Sequence, residues 1–268
     1  MEADHPIGVF DSGIGGLTLA NAVRNVLPNE SIFYFGDTAH LPYGDKSTAA
    51  IQAYSIKICN VLLSQNCKAI LIACNSASSA AFELVKEYVG SKAIVINVID
   101  PVVDIIANQY ANKKIGLIGT RRTIMSNVYK TKIDAKSCGI DLRSVATPLL
   151  ASMIEEGFYN NSISNEVITE YLRDGDLQDI EALILGCTHY PLIKSEIEGF
   201  YKGKVDVIDS SEIVALALRN SLLGKGLLSS VIGPKHTFYV SDYTNSFHRS
   251  TSMFFGEEVA LKHYRLWE

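Results

Sequence analysis

Short apolar runs of four to six residues alternate along this chain with longer segments of helical period. That alternation predicts parallel strands joined by helical crossovers, an α/β fold. Strands are predicted at 7–11, 31–35, 68–73 and 93–98, with helices at 17–27, 48–64 and 76–89 and a polar loop over 36–47. The series halts at Asp100-Pro101 and then restarts. A helix at 102–110 leads to strands at 115–119, 141–146, 182–185 and 205–208, with helices at 123–136 and about 164–172. After Asp209 the pattern predicts a helix at 212–222, a loop at 229–235, a strand at 236–241 and a helix at 245–255.

The restart repeats its wording. A-I-L-I-A-C-N-S over 69–76 parallels A-L-I-L-G-C-T-H over 182–189, and I-G-V-F-D-S-G over 7–13 parallels I-G-L-I-G-T-R over 115–121. Asp11 precedes Cys74 by 63 residues, and the aligned Gly119 precedes Cys187 by 68. Two similar α/β units with mostly parallel sheets, related by a pseudo-twofold axis, are therefore expected. The tail is too short for a third core and is expected to complete the first unit. This divides the chain into 1–99 plus 211–268 and 100–210.

Composition narrows the class. With 268 residues, 47% hydrophobic and 20% charged, the chain can bury a large core and is not of the disordered type. No uncharged run reaches the roughly 18 residues of a spanning helix. The richest stretch, 214–232, is interrupted by Arg219 and Lys225. The first residues lack the basic and apolar regions of a signal peptide, so a cytoplasmic protein without membrane partners is expected. A net charge of −5 without basic clusters beyond pairs predicts no nucleic-acid partner. Five cysteines without a Cys-x-x-Cys pair predict neither a disulfide framework nor a structural metal site.

Open α/β sheets bind ligands at the carboxyl ends of their strands. Four polar clusters fall there or in adjoining loops: Asp11-Ser12-Gly13, Pro42-Tyr43-Gly44, Cys74-Asn75-Ser76 and Cys187-Thr188-His189. The turn Gly13-Ile14-Gly15-Gly16 fails the dinucleotide spacing because its third position is Thr18. Its backbone N–H groups are instead expected to meet a small anion. A free cysteine is ordinarily a small core residue, the reading that suits Cys59, Cys67 and Cys138. Cys74 and Cys187 differ in sitting at strand ends that lead into helices, where the helix dipole is expected to lower a thiol pKa towards neutrality. His189 suits a thiol partner, as in a Cys–His hydrolase, better than a metal ligand, since no second cluster completes a metal site. Glu155-Glu156 reads equally as a solvated helix start or as an acid–base partner. Two thiols facing each other across a cleft can invert a carbon centre, one removing a proton as the other delivers one to the opposite face.

At these residues the chain resembles the glutamate racemases, which make D-glutamate for bacterial peptidoglycan without a cofactor. The matching segments are G-V-F-D-S-G-I-G-G (8–16), G-D-T-A-H-L-P-Y-G-D-K-S (36–47), A-C-N-S-A-S (73–78) and G-C-T-H-Y-P-L (186–192). The resemblance implies two similar α/β domains with the site between them and the tail closing the first. It implies Cys74 and Cys187 as paired acid/base thiols, acting on the D- and L-enantiomer respectively. Asp11 and His189 then assist Cys74 and Cys187, and Glu155 is a further carboxylate of the site. Substrate contacts fall on Asp11, Ser12, Tyr43, Gly44, Asn75, Ser76, Thr120, Thr123, Thr188 and His189. Pyridoxal phosphate becomes unnecessary. The partners implied are L- and D-glutamate, with a homodimer and a cell-wall-precursor activator among the family's variations. Two departures stand out: Asn75-Ser76 replaces the family's Asn-Thr, and the residues before Glu155 lack its Phe-Val-Pro run, which leaves the register of Glu155 against Glu156 open. Aspartate racemase is the nearest alternative, followed by a Cys–His hydrolase.

Overall fold

The computed structural model describes the backbone of residues 1–268 and the side chains of all except Asn245, Ser246, His248 and Arg249. The first unit runs β1 (Ile7–Asp11), α1 (Leu17–Val26), β2 (Ile32–Gly36), α2 (Thr48–Ser64), β3 (Ala69–Ile72), α3 (Asn75–Val89) and β4 (Ile94–Asn97). The second runs α4 (Asp100–Gln109), β5 (Lys114–Gly119), α5 (Arg121–Met125), α6 (Val128–Ala135), β6 (Asp141–Ala146), α7 (Pro148–Glu155), α8 (Ser162–Leu172), β7 (Ala182–Gly186), α9 (Lys194–Tyr201) and β8 (Asp206–Ile208). The tail supplies α10 (Ser210–Gly224), β9 (Thr237–Val240), α11 (Asn245–Phe255) and β10 (Leu261–His263).

The sheet orders are β10-β9-β2-β1-β3-β4 and β6-β5-β7-β8. All strand pairs are parallel. Without the two tail strands, the first order is that of the second: β1 and β5 are central, and each is flanked by the strand that follows it and the next one after. The strand order reverses beside β1 and β5, so the chain diverges at Asp11 and Gly119 and leaves a crevice at each strand end. Both central strands are continuous apolar runs because helices cover both faces of a parallel sheet. The tail lays β9 along β2 of the first sheet. It also adds β10, three residues that carry no strand signature of their own.

Two expected helices are different in the structure. The helix expected over 123–136 is broken into α5 and α6 by Asn127, which adopts a left-handed φ of 57°. The stretch before Glu155 is itself a helix, α7, so Glu155-Glu156 ends a helix rather than starting one. At the opposite end of the first sheet Lys68 and Glu30, both fully buried, form an ion pair at 2.5 Å. Lys68 Nζ also donates to the Leu227 carbonyl at 2.9 Å, and Ser229 N donates to Glu30 at 2.9 Å. This pair ties the linker after α10 to the sheet. Among the described residues no helix is long and apolar enough to cross a membrane.

Candidate active site

β1 ends at Asp11, and the glycine turn that follows folds back on it. Gly13 N and Gly16 N donate to Asp11 Oδ2 at 3.2 and 2.9 Å. Two of the turn's N–H groups are thus taken by the chain's own carboxylate, where the sequence predicted a small anion. Asp11 is fully buried, and burial raises its pKa; its Oδ1 has no hydrogen-bond partner in the structure. Cys74 caps the N-terminus of α3, accepting from Ala77 N at 3.4 Å, and its thiol lies 3.6 Å from Ser12 Oγ. The helix start does not bring this thiol towards neutrality. Burial, reinforced by the Asp11 charge, pushes it up to about 12, because the closed cleft removes the water that would solvate a thiolate.

On the other side of the cleft β7 leads through Gly186 to Cys187. The chain then enters a short 3-10 turn, Tyr190–Ile193, before α9, so the helix-dipole argument made for Cys187 does not apply. A different charge stands beside it. His189 Nδ1 lies 3.6 Å from Cys187 Sγ, and His189 Nε2 lies 2.8 Å from Glu155 Oε1. Burial alone would lower the His189 pKa; the hydrogen bonds to Cys187 and Glu155 outweigh it and raise it well above the ordinary value. His189 is therefore held as an imidazolium with both nitrogens donating. The ring of Phe254 packs edge-on against it at 5.3 Å. Glu155 is the carboxylate that faces the site, whereas Glu156 caps α7 in solvent.

The two thiols line one small cavity of about 40 Å³, together with Ser12, Tyr43, Gly44, Asn75, Ser76, Thr120, Glu155, Thr188 and His189. Asp11 and Thr123 stand one layer behind this wall. Thr123 Oγ1 lies 3.1 Å from Thr120 Oγ1, which meets Ser76 Oγ of the other unit at 2.8 Å. Further bonds close the cleft: Thr18 Oγ1 donates to the Thr188 carbonyl at 3.1 Å, Tyr129 OH to Asn75 Oδ1 at 2.8 Å, and Arg122 Nε to the Lys46 carbonyl at 3.0 Å. Gly15 comes so near the opposite unit that a Cβ there would lie 2.5 Å from His189 Cε1. Cys59 and Cys67 are buried away from the cavity, and burial pushes each up to about 12.

Sequence reasoning passed over Leu41, Ala151 and Ser152 in the cavity wall, and Asp37 behind Tyr43. Ala151 and Glu155 are four residues apart on α7 and share its inner face, which puts Glu155 rather than Glu156 in the cavity wall. Asp37 is fully buried and accepts from Tyr43 OH at 2.6 Å, Ser241 Oγ at 2.7 Å and Trp267 Nε1 at 2.8 Å. Those bonds join the Tyr43 loop to the tail.

Two topologically matched parallel units, each sending one cysteine from the equivalent strand end into a shared cleft, define the Asp/Glu/Hydantoin racemase class. The chain belongs to that family, whose model matches residues 18–218. Among individual proteins, it is similar to the glutamate racemase of Chlorobaculum parvum, 38% identical over 95% of this chain and 93% of that one. The crystal structure of glutamate racemase from Francisella tularensis in complex with D-glutamate superposes with a TM-score of 0.93 at 41% identity, covering 99% of both chains. The aspartate racemase of Picrophilus torridus shares the fold at a TM-score of 0.57 and 20% identity over 80% of this chain.

Proposed function

We propose that this chain is a glutamate racemase that interconverts L- and D-glutamate by a two-thiol mechanism and supplies D-glutamate for peptidoglycan in the cytoplasm. The observation that carries the proposal is the pair of thiols, one from each matched unit, lining one small cavity. The similarity to glutamate racemases over nearly the whole chain supports glutamate over aspartate. In the forward direction Cys187, as thiolate, removes the α-proton of L-glutamate, and the electron pair spreads from the α-carbon into the substrate carboxylate. The Cys74 thiol then delivers its proton to the opposite face. The product is D-glutamate, with Cys74 left as thiolate and Cys187 as thiol, so the reverse reaction uses the same groups in exchanged states.

His189 assists Cys187 as an imidazolium aligned by Glu155, and Asp11 assists Cys74. Backbone and hydroxyl donors at Ser12, Tyr43, Gly44, Asn75, Ser76, Thr120 and Thr188 hold the substrate carboxylates, with Thr123 acting through Thr120. Such donors stabilise the charge that builds at the carboxylate as the proton leaves. The closed cleft keeps water from competing for it.

The test is proton NMR of L-glutamate in D2O with reduced protein and no added cofactor. Loss of the α-proton signal, with D-glutamate appearing on a chiral assay, is the expected result. Cys74→Ser and Cys187→Ser should each lower racemisation by about 10²–10⁴-fold, the range a positioned acid or base contributes. Exchange with aspartate alone would reassign the substrate. Retention of activity by Cys74→Ser would indicate a single-nucleophile Cys–His enzyme.

A further inference from the structure

Asn75 is the first residue of α3, next to Cys74, and forms part of the cavity wall. It is 2% exposed, and its side chain uses only one of its two ends. Oδ1 accepts from Tyr129 OH at 2.8 Å, whereas the buried Nδ2 has no hydrogen-bond partner in the structure. A buried donor left unpaired is costly, and proteins retain one where an acceptor arrives with a ligand. Tyr129 belongs to the other unit. It is 2% exposed, and burial together with the Asp100 charge holds its phenol protonated, so it is a donor.

The break at Asn127 is what makes this contact compatible with the rest of the wall. In one continuous helix residues 123 and 129 would point about 120° apart, six residues at roughly 100° each. In the structure Thr123 and Tyr129 are both buried. Thr123 reaches Ser76 through Thr120, and Tyr129 reaches Asn75 directly. Two short helices thus serve two adjacent residues of the first unit.

We infer that Tyr129 is a positioning residue. By donating to Asn75 Oδ1 across the closed cleft, it fixes the amide so that Nδ2 is offered to an anionic oxygen of the substrate. The inference rests on the racemase reading and adds a residue that never touches the substrate. It also links substrate affinity to closure, because donor and acceptor lie on different units.

Tyr129→Phe removes the hydroxyl and keeps the ring. We expect KM for L- and D-glutamate to rise about tenfold, equivalent to about 1.4 kcal/mol, with kcat within twofold. The fall in kcat/KM must be the same in both directions, since the equilibrium constant of racemisation is one. In an Asn75→Ala background, Tyr129→Phe should have no further effect on KM. Asn75→Asp keeps an acceptor for Tyr129 but replaces the cavity donor with an anionic oxygen. It should raise KM at least as much as Asn75→Ala. An unchanged KM in Tyr129→Phe, a loss confined to kcat, or an equal loss with and without Asn75 would each overturn the inference. The last would mark Tyr129 as packing only. A wild-type protein inactive on glutamate would instead sink the racemase reading, so the two failures are distinguishable.

Discussion

Trp267 is the chain's only tryptophan, and it lies one residue from the C-terminus, yet the structure ties it to the active site. Its indole N–H donates to Asp37 Oδ1 at 2.8 Å, and the other oxygen of that carboxyl accepts from Tyr43 OH at 2.6 Å. The indole ring also meets His40 edge-on at 4.4 Å, and Lys57 Nζ lies 4.5 Å from its centre. Trp267→Phe keeps an aromatic ring and deletes the N–H. A hydrogen bond to a charged acceptor is worth about 2 kcal/mol, which for a chain of this size is roughly 5 °C in Tm. Deleting residues 267–268 also removes the ring contacts and should cost roughly 3–4 kcal/mol in all. Because Asp37 holds Tyr43 with its second oxygen, both changes should also raise KM for glutamate several-fold and leave the thiol chemistry intact. Urea unfolding followed by circular dichroism measures the first effect, and a chiral product assay the second. In the wild type, Trp267 fluorescence should report the same unfolding midpoint as circular dichroism. A fluorescence transition well ahead of the global one, or a Trp267→Phe variant within about 0.3 kcal/mol of wild type with unchanged KM, would refute the reasoning.

Three further outcomes are expected. The raised pKa of His189 means that its ion pair with Glu155 contributes stability fully below about pH 6.5. That contribution is lost as pH rises through the raised value; Glu155→Gln should flatten this slope, and an unchanged pH–stability profile would contradict the assignment. Gly15→Ala places a methyl 2.5–2.7 Å from His189 and Thr188. It should lower kcat/KM by about 100-fold by holding the units apart, with a stability loss of only about 1–3 kcal/mol; wild-type activity would show that the approach is not needed. Lys68→Met leaves Glu30 buried without its cation and should cost about 3–5 kcal/mol, whereas Lys68→Met with Glu30→Gln should recover more than half. Equal losses in the single and double variants, measured in urea, would show that the pair is not the cause.

The parts of the site that were legible in sequence are those set by local signals. Asp11, Cys74 and Cys187 follow short apolar runs that read as buried strands, and the carboxyl ends of such strands are where open α/β sheets place their ligands. The repetition of the unit was legible for the same reason, through the repeated strand and its terminal cysteine, whereas the strand orders come from the structure. What local pattern could not reveal depends on distant pairing. Glu155 is chosen over Glu156 by a histidine 34 residues on, Tyr129 by an amide 54 residues back, and Asp37 by a tryptophan 230 residues away. The break at Asn127 escaped because nothing in the local pattern of 123–136 marks it; it is seen only in the left-handed φ of Asn127 and in Thr123 and Tyr129 both being buried. The depressed thiol expected for Cys74 failed on energetics. A helix N-terminus acts on a partly solvated group, and full burial beside Asp11 outweighs it.

The two halves of the cleft share a topology and differ in charge, and that difference bears on direction. The proposed reaction requires one proton to be held between two sulfurs. Behind Cys74 stands the buried Asp11 carboxyl, and burial with that charge keeps the Cys74 proton in place. Beside Cys187, 3.6 Å away, stands a histidine whose pKa is raised by its hydrogen bonds to Cys187 and Glu155. In the proposed reaction the form that accepts L-glutamate carries its proton on Cys74, the side where burial and Asp11 hold it. Proposed turnover towards D-glutamate leaves the proton on Cys187 and Cys74 as a thiolate beside the buried Asp11. In the proposed cycle the units must therefore reopen to solvent, or take a D-glutamate molecule backwards, before the next L-glutamate reacts. The bonds across the cleft, Ser76 to Thr120, Thr18 to Thr188 and Tyr129 to Asn75, must break in that opening. Closure strong enough to keep water out thus sets a limit on how fast the thiols can be reset, and the hydroxyl-sized, individually weak contacts across the cleft suit both demands.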